Sequence, residues 1–297
     1  MLRYLLLGVL SLLPLNEGFG AEAEPIRVFV SIPPQAYFVQ RVGGDRVEVE
    51  VLLRPGQSPA TFDPTPKQID RLAQADIWFQ IGVPFERSLG PRVAFSLPNL
   101  EVAQTQEGVT FRSLSRSGKS ENRDPHIWLD PDLVKIQAKN ICHALSASNP
   151  DHATEYSENL FRFEEDLDSL AKEISSILEP VRGKDLPVFH PAFGYFADRF
   201  GLKQVAIEVE GKQPGIKQLQ EWIDKARAEG IQVLFVQSEF STKAVEVIAA
   251  AIPARVVVLD PLAGDYMKNI RRMARTIVEA LIPPADAVAA NPLPLQE

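Results

Sequence analysis

NPDHATEYSENLFRFEEDLDSLAKEISSILEP, residues 149–180, sets apolar side chains at Ala153, Tyr156, Leu160, Phe163, Leu167, Leu170, Ile174 and Ile177, spaced 3, 4, 3, 4, 3, 4, 3. That period describes one long helix with a single apolar stripe. Asn149 suits the N-cap, Pro150 the first helical position, and Pro180 with Gly183 marks the end. At 1.5 Å per residue, about 28 helical residues span roughly 42 Å, more than one small lobe needs. The helix is expected to run along two lobes as a strut. A coiled-coil seam would show the same stripe, but inside an α/β chain such a helix more often packs on its own domain.

On both sides of this helix, β-rich apolar runs alternate with amphipathic stretches. The runs are 26–32, 47–53, 76–82, the LPVF at 186–189, 203–209, 231–237 and 254–260; the helical stretches include 66–75, 216–228 and 242–251. Alternation of this kind predicts an α/β fold of two lobes, each a mostly parallel sheet flanked by helices. The long helix joins the lobes, with a ligand cleft between them. The expected boundaries are a first lobe over 24–148, the linking helix over 149–180 and a second lobe over 181–282.

The flanks read differently. Residues 1–20 carry Arg3 and an apolar run from Leu5 to Leu15 broken by Pro14, followed by small residues near Ala21. This is the pattern of a cleavable signal peptide, too short to span a membrane, and it predicts a periplasmic protein. The tail, 283–297, has four prolines and four alanines and is expected to be disordered. A net charge of −8 argues against nucleic acid as a partner. A single cysteine, Cys142, excludes an internal disulfide and a cysteine-based zinc cluster.

Chemistry gathers where strands end. His126 lies in DPHIWLDP (124–131), His190 in LPVFHPAFGYF (186–196) and Asp260 in RVVVLDPL (255–262), each beside a proline at a change of structure. In parallel sheets ligands collect beyond the carboxyl ends of strands, so these side chains can meet across a cleft. Two imidazoles and a carboxylate form a plausible site for a borderline metal. Taken singly, each histidine is also explained as a hydrogen-bonded structural residue, and Asp260 as a strand-end cap. His143 and His152, on helices, read as packing or surface residues. At a fourth such place, RPGQSPATFDP (54–64), the chain offers Ala60.

The order of PGQSPATFDPTPKQI, DPHIWLDP, NPDHATEYSENL, VFHPAFGYFADRFGL, EVEGKQPG, FVQSEFSTKAVEVIA and VVVLDPL resembles the metal-binding subunits of zinc and manganese ABC transporters, the cluster A-I solute-binding proteins. The likeness covers roughly residues 26–282. It implies two α/β lobes on one rigid helix with the metal between them, and His126, His190 and Asp260 as metal ligands. It further implies Zn2+ as cargo, with Mn2+ or Fe2+ where more oxygen donors join, an ABC permease in the inner membrane, and a periplasmic metallochaperone as a further partner. The protein is expected to be a monomer and not an enzyme.

One departure stands out: the family pattern reads PHTYEP where this chain reads PATFDP, so Ala60 replaces the first histidine. Gln57, Asp63, Glu210, Glu239 or water are the candidates to fill the position. Three ligands and a water also describe a catalytic zinc centre, which leaves a secreted zinc hydrolase as an alternative, although no HExxH pattern is present. A relative that binds another solute or partner is the other alternative. The stretch 106–124, where zinc-specialised members carry a histidine-rich loop, has no histidine.

Overall fold

The computed structural model describes residues 24–114, 123–207, 230–239 and 254–282, and between them 220, 221, 223, 224, 227 and 228. The signal segment, the tail, most of 216–228 and all of 242–251 fall outside the described residues. The first sheet contains β1 (Ile26–Val30), β2 (Val47–Val51), β3 (Ile77–Gln80) and β4 (Glu101–Gln104), in the order β2-β1-β3-β4. The second contains β5 (Asp185–Val188), β6 (Lys203–Ala206), β7 (Val233–Gln237) and β8 (Arg255–Leu259), in the order β6-β5-β7-β8. Every pairing is parallel, with Val28 opposite both Val49 and Ile77, and Val188 opposite both Ala206 and Phe235. The central strands are apolar along their length because helices cover both faces.

The helices are α1 (Pro33–Gly43), α2 (Pro66–Leu72), α3 (Pro84–Ser96), α4 (Pro131–Ser148), α5 (Ala153–Leu178), α6 (Gly194–Phe200) and α7 (Tyr266–Leu281). Helix α5 is the strut. It buries Tyr156, Phe163, Leu167, Leu170, Ala171, Ile174 and Leu178, packing on α1 and α4 from the first lobe and on α6 and α7 from the second. Where α1, α5 and α7 meet, the Phe163 ring lies 6.1 Å from Phe38, and Tyr266 meets Phe38 edge-on at 4.9 Å. Arg41 reaches over Phe163, 4.8 Å from its centroid, and pairs with Asp166 at 2.6 Å. One apolar core therefore runs through the strut from lobe to lobe.

One expectation needs correction, and one strand was not read from the sequence. The α-helix starts at Ala153, after a 3-10 turn over Pro150–His152, and Asn149 makes no side-chain cap. Asn149 instead closes α4, donating its N–H to the Leu145 carbonyl at 2.9 Å, because the chain reverses there between two packed helices. Strand β4 went unforeseen: it has four residues, none of them fully buried, so apolar patterning marks it weakly. Thr105, just after β4, is buried, and an antiparallel bridge joins Ser113 to Arg123; residues 115–122 between them lie outside the described residues.

Removing the Phe163 ring leaves a cavity at the junction of α1 and α5. Phe163→Ala is expected to lower the unfolding free energy by about 3–5 kcal/mol. Urea denaturation measures this, and a loss below about 1 kcal/mol would show that the strut is not locked into the shared core.

Candidate metal centre

The carboxyl ends of both sheets open on one cavity of about 180 Å³. Its wall takes Ser58 and Ala60 from the segment after β2, Val83 and Arg87 from that after β3, His190 after β5, Glu239 after β7, and Pro261 and Leu262 after β8. His126 and Trp128, from the connection before α4, complete it. This is the crevice where parallel sheets collect ligands.

His126 precedes a 3-10 turn, Ile127–Leu129, whose three residues are buried. Asp124, itself 1% exposed, accepts from the His126 backbone N–H at 3.0 Å and contacts Nδ1 at 2.7 Å through the same oxygen. With the carboxylate accepting, the proton sits on Nδ1 and Nε2 carries the lone pair that a metal takes. Asp124 is held in turn by Arg112 at 3.3 Å, and its carbonyl accepts from the Tyr195 hydroxyl at 3.0 Å. The Tyr195 oxygen also accepts from Arg112 N–H at 2.9 Å, and Arg112 pairs with Asp198 at 2.7 Å, so α6 of the second lobe braces the His126 segment. Burial pushes the Tyr195 hydroxyl up to about 12, so it stays protonated and able to donate.

His190 comes from the other lobe. Its carbonyl accepts from Gln237 Nε2 at 3.1 Å and from Ala192 N–H at 2.8 Å, which fixes the backbone just beyond β5. The two imidazoles lie edge to face with centroids 5.3 Å apart. A tetrahedral zinc bound by two imidazole nitrogens at about 2.0–2.1 Å puts the ring centroids about 5.2 Å apart, a separation this pair matches and that an ordinary edge-to-face ring contact also gives. The Trp128 indole closes the lobes over the site by donating to the Pro261 carbonyl at 2.8 Å.

Two carboxylates complete the surroundings. Glu239 is on the cavity wall, and its Oε2 is buried with no hydrogen-bond donor among the described residues. Burial pushes its carboxyl up to about 7, opposed by its own backbone N–H and by His190 and reinforced by the charge of Asp260. A buried carboxylate oxygen without a donor is costly, and a cation relieves it. Asp260 lies at the cavity edge, half-buried: its Oδ1 accepts from Leu262 N–H at 2.9 Å and its carbonyl from Asn269 Nδ2 at 2.6 Å. The structure thus brings His126, His190 and Glu239 into the lining of one cavity, whereas Asp260 is not among the lining residues and only its neighbours Pro261 and Leu262 are. Among the described residues, no group of three His, Cys, Asp or Glu side chains stands close enough to hold an ion as placed.

Ala60 lines the same cavity, exposed, in a segment tied down at both ends. At one end Gln57 Oε1 accepts from Arg54 N–H at 2.8 Å; at the other Thr65 and Gln68 cap α2 reciprocally while Gln68 Nε2 reaches the Leu52 carbonyl at 2.7 Å. Gln57 is thereby engaged in its own turn, and neither it nor exposed Asp63 lines the cavity; Glu210 lies outside the described residues. Across the cavity, Glu86 holds the 81–83 turn by accepting from Ile81 and Gly82 N–H, and burial pushes its carboxyl up to about 7. His143 is exposed on α4, and His152 contacts Glu155 at 3.2 Å, both away from the site. Asp124, Arg112 and Tyr195 had no role in the sequence reading, although an Asp two residues before a candidate ligand is a signal for a local side-chain to backbone bond.

The family model for the zinc-uptake complex component A, periplasmic (ZnuA), matches residues 28–280. The high-affinity zinc uptake system protein ZnuA of Brucella abortus is 36% identical over 168 residues, which is 53% of this chain and 50% of that protein. ZnuA of Bacillus subtilis is 26% identical over 257 residues, 82% of this chain and 81% of that one. A crystal structure of ZnuA superposes with a TM-score of 0.81 at 37% identity, covering 86% of this chain and 99% of the other. A zinc-bound ZnuA deletion mutant gives a TM-score of 0.80 at 38% identity, covering 86% and 98%. The chain belongs to the ZnuA family of periplasmic zinc-uptake components, which are solute-binding proteins and not enzymes.

Proposed function

We propose that this chain captures a divalent cation, zinc first, between its lobes and hands it to an ABC permease in the inner membrane. The observation that carries the reading is the imidazole pair, His126 and His190, one from each lobe at 5.3 Å, beside a buried carboxylate oxygen of Glu239 that lacks a donor. His126, His190 and Asp260 are the proposed ligands, with Glu239 as the oxygen donor that stands in the cavity. Asp260 would bind through the oxygen not engaged with Leu262. The zinc carried by the ZnuA deletion mutant supports the choice of cargo. Two nitrogens and two carboxylates suit zinc and also admit Mn2+. Release at the permease is a conformational event in which no bond of the protein is made or broken. Secretion through a cleavable signal over residues 1–20 would deliver the chain to the periplasm, where the permease receives its cargo.

His190→Ala is expected to weaken zinc binding by at least about tenfold, the loss of one inner ligand, with the circular dichroism of the fold preserved. Isothermal titration reads the affinity; unchanged zinc binding would remove His190 from the site.

The acid dependence has a definite sign. Glu239 is raised to about 7, so near neutrality and below it holds a proton that the ion must displace, and imidazole ligates only when neutral. Zinc affinity therefore rises with pH through about 7, and binding releases protons. Titrations between about pH 5.5 and about pH 7.5, in buffers of different ionisation enthalpy, measure both. Glu239→Gln is expected to release fewer protons, and a flat affinity over that range would contradict histidine and carboxylate ligation together.

A further inference from the structure

The wall that lacks a donor at Ala60 carries positive charge. Arg87, on α3, and Arg123 both line the cavity there, and both also line an adjoining open pocket, so they stand at the mouth between the site and solvent. Arg123 is oriented by lying over the Phe111 ring, 5.4 Å from its centroid. Among the described residues no carboxylate pairs with Arg87 or Arg123. Two guanidinium groups beside a dication repel it unless an anion lies between them. The space is also generous: about 180 Å³ is roughly six times the ~30 Å³ share of one liquid water, far more than an ion with one water needs.

We propose that the ligand missing at Ala60 arrives from outside, as a small carboxylate chelator that enters with the metal. One carboxylate of the chelator binds the ion on the Ala60 side, and its remaining anionic oxygens pair with Arg87 and Arg123. The planar guanidinium fork suits that task, because it matches a carboxylate with two parallel hydrogen bonds and keeps its charge at any physiological pH. Charge then balances within the cavity: His126, His190 and Glu239 would hold the ion, and Arg87 and Arg123 the anion. Specificity would rest on a chelate, an α-hydroxy or α-amino acid holding the cation, rather than on a bare ion. This inference rests on the metal site proposed above.

Equilibrium dialysis of the full mature chain with radiolabelled citrate or L-histidine, each with and without zinc, tests it and separates the two chelator types. One chelator is expected to be retained at one per protein, only when zinc is present. Arg87→Ala with Arg123→Ala is expected to lower that retention by at least about tenfold, the loss of one or more charge-assisted hydrogen bonds, while zinc alone binds at least as tightly as before. Ala60→His, which returns a protein ligand, is expected to release the chelator and keep the zinc. Zinc binding with neither chelator retained would overturn the inference and leave the metal site standing. Failure to bind zinc in every arm would overturn both.

Discussion

The architecture depends on one constraint: the apolar stripe of α5 is buried against both lobes at once. Phe163, Leu167, Leu170 and Ile174 have no exposed surface, and each contributes about 1.5–3 kcal/mol by staying out of water. Bending or detaching the strut would expose the stripe, so the spacing of the two sheets is set by the core and not by the ligand. With the sheets fixed, their carboxyl ends face one crevice, and short connections carry His126 and His190 into it. The bonds that cross between lobes gather near the same place: Trp128 to Pro261, Arg112 to Asp198 and Tyr195, and Arg199 to Asp132 at 2.8 Å. The scaffold around the cavity is thus fixed by protein contacts, while the candidate ligands themselves must still draw together on an ion.

The electrostatics follow from the same placement. Asp124 orients an imidazole from behind and is satisfied by Arg112 and by the backbone, so its charge is spent on geometry. Glu239 is the opposite case, a carboxylate with one oxygen, Oε2, buried and left without a donor, and its raised pKa reflects the burial. Such a group is stabilised by whatever cation enters, which couples capture to proton release. Ala60 shows where the protein's own donors stop. Facing it are Arg87 and Arg123, a pairing that makes sense for an anion and little sense for a bare dication.

Much of this was legible in the sequence, and the exceptions have physical causes. The strut was readable because a long helix buried on one side writes its period into the chain, although its first turn became 3-10 where α4 and α5 reverse direction. Seven of the eight strands were readable from apolar runs; β4, short and half-exposed, was not. His126, His190 and Ala60 could be placed because a strand end followed by a turn is a local event. The choice of Glu239 over Gln57 and Asp63 could not, since it depends on which side chain the tertiary fold turns inward. The bracing of Asp124 by Tyr195 was hidden for the same reason: Tyr195 is more than 70 positions from both Asp124 and Arg112.

The central claim is that one ion is shared by two imidazoles and by oxygen donors, with no sulfur. Zinc K-edge X-ray absorption on the zinc-loaded protein reads this first shell directly. The account predicts only nitrogen and oxygen neighbours at about 2.0–2.2 Å, with multiple scattering that fits two imidazoles. A sulfur shell near about 2.3 Å, or a spectrum without imidazole scattering, would contradict it.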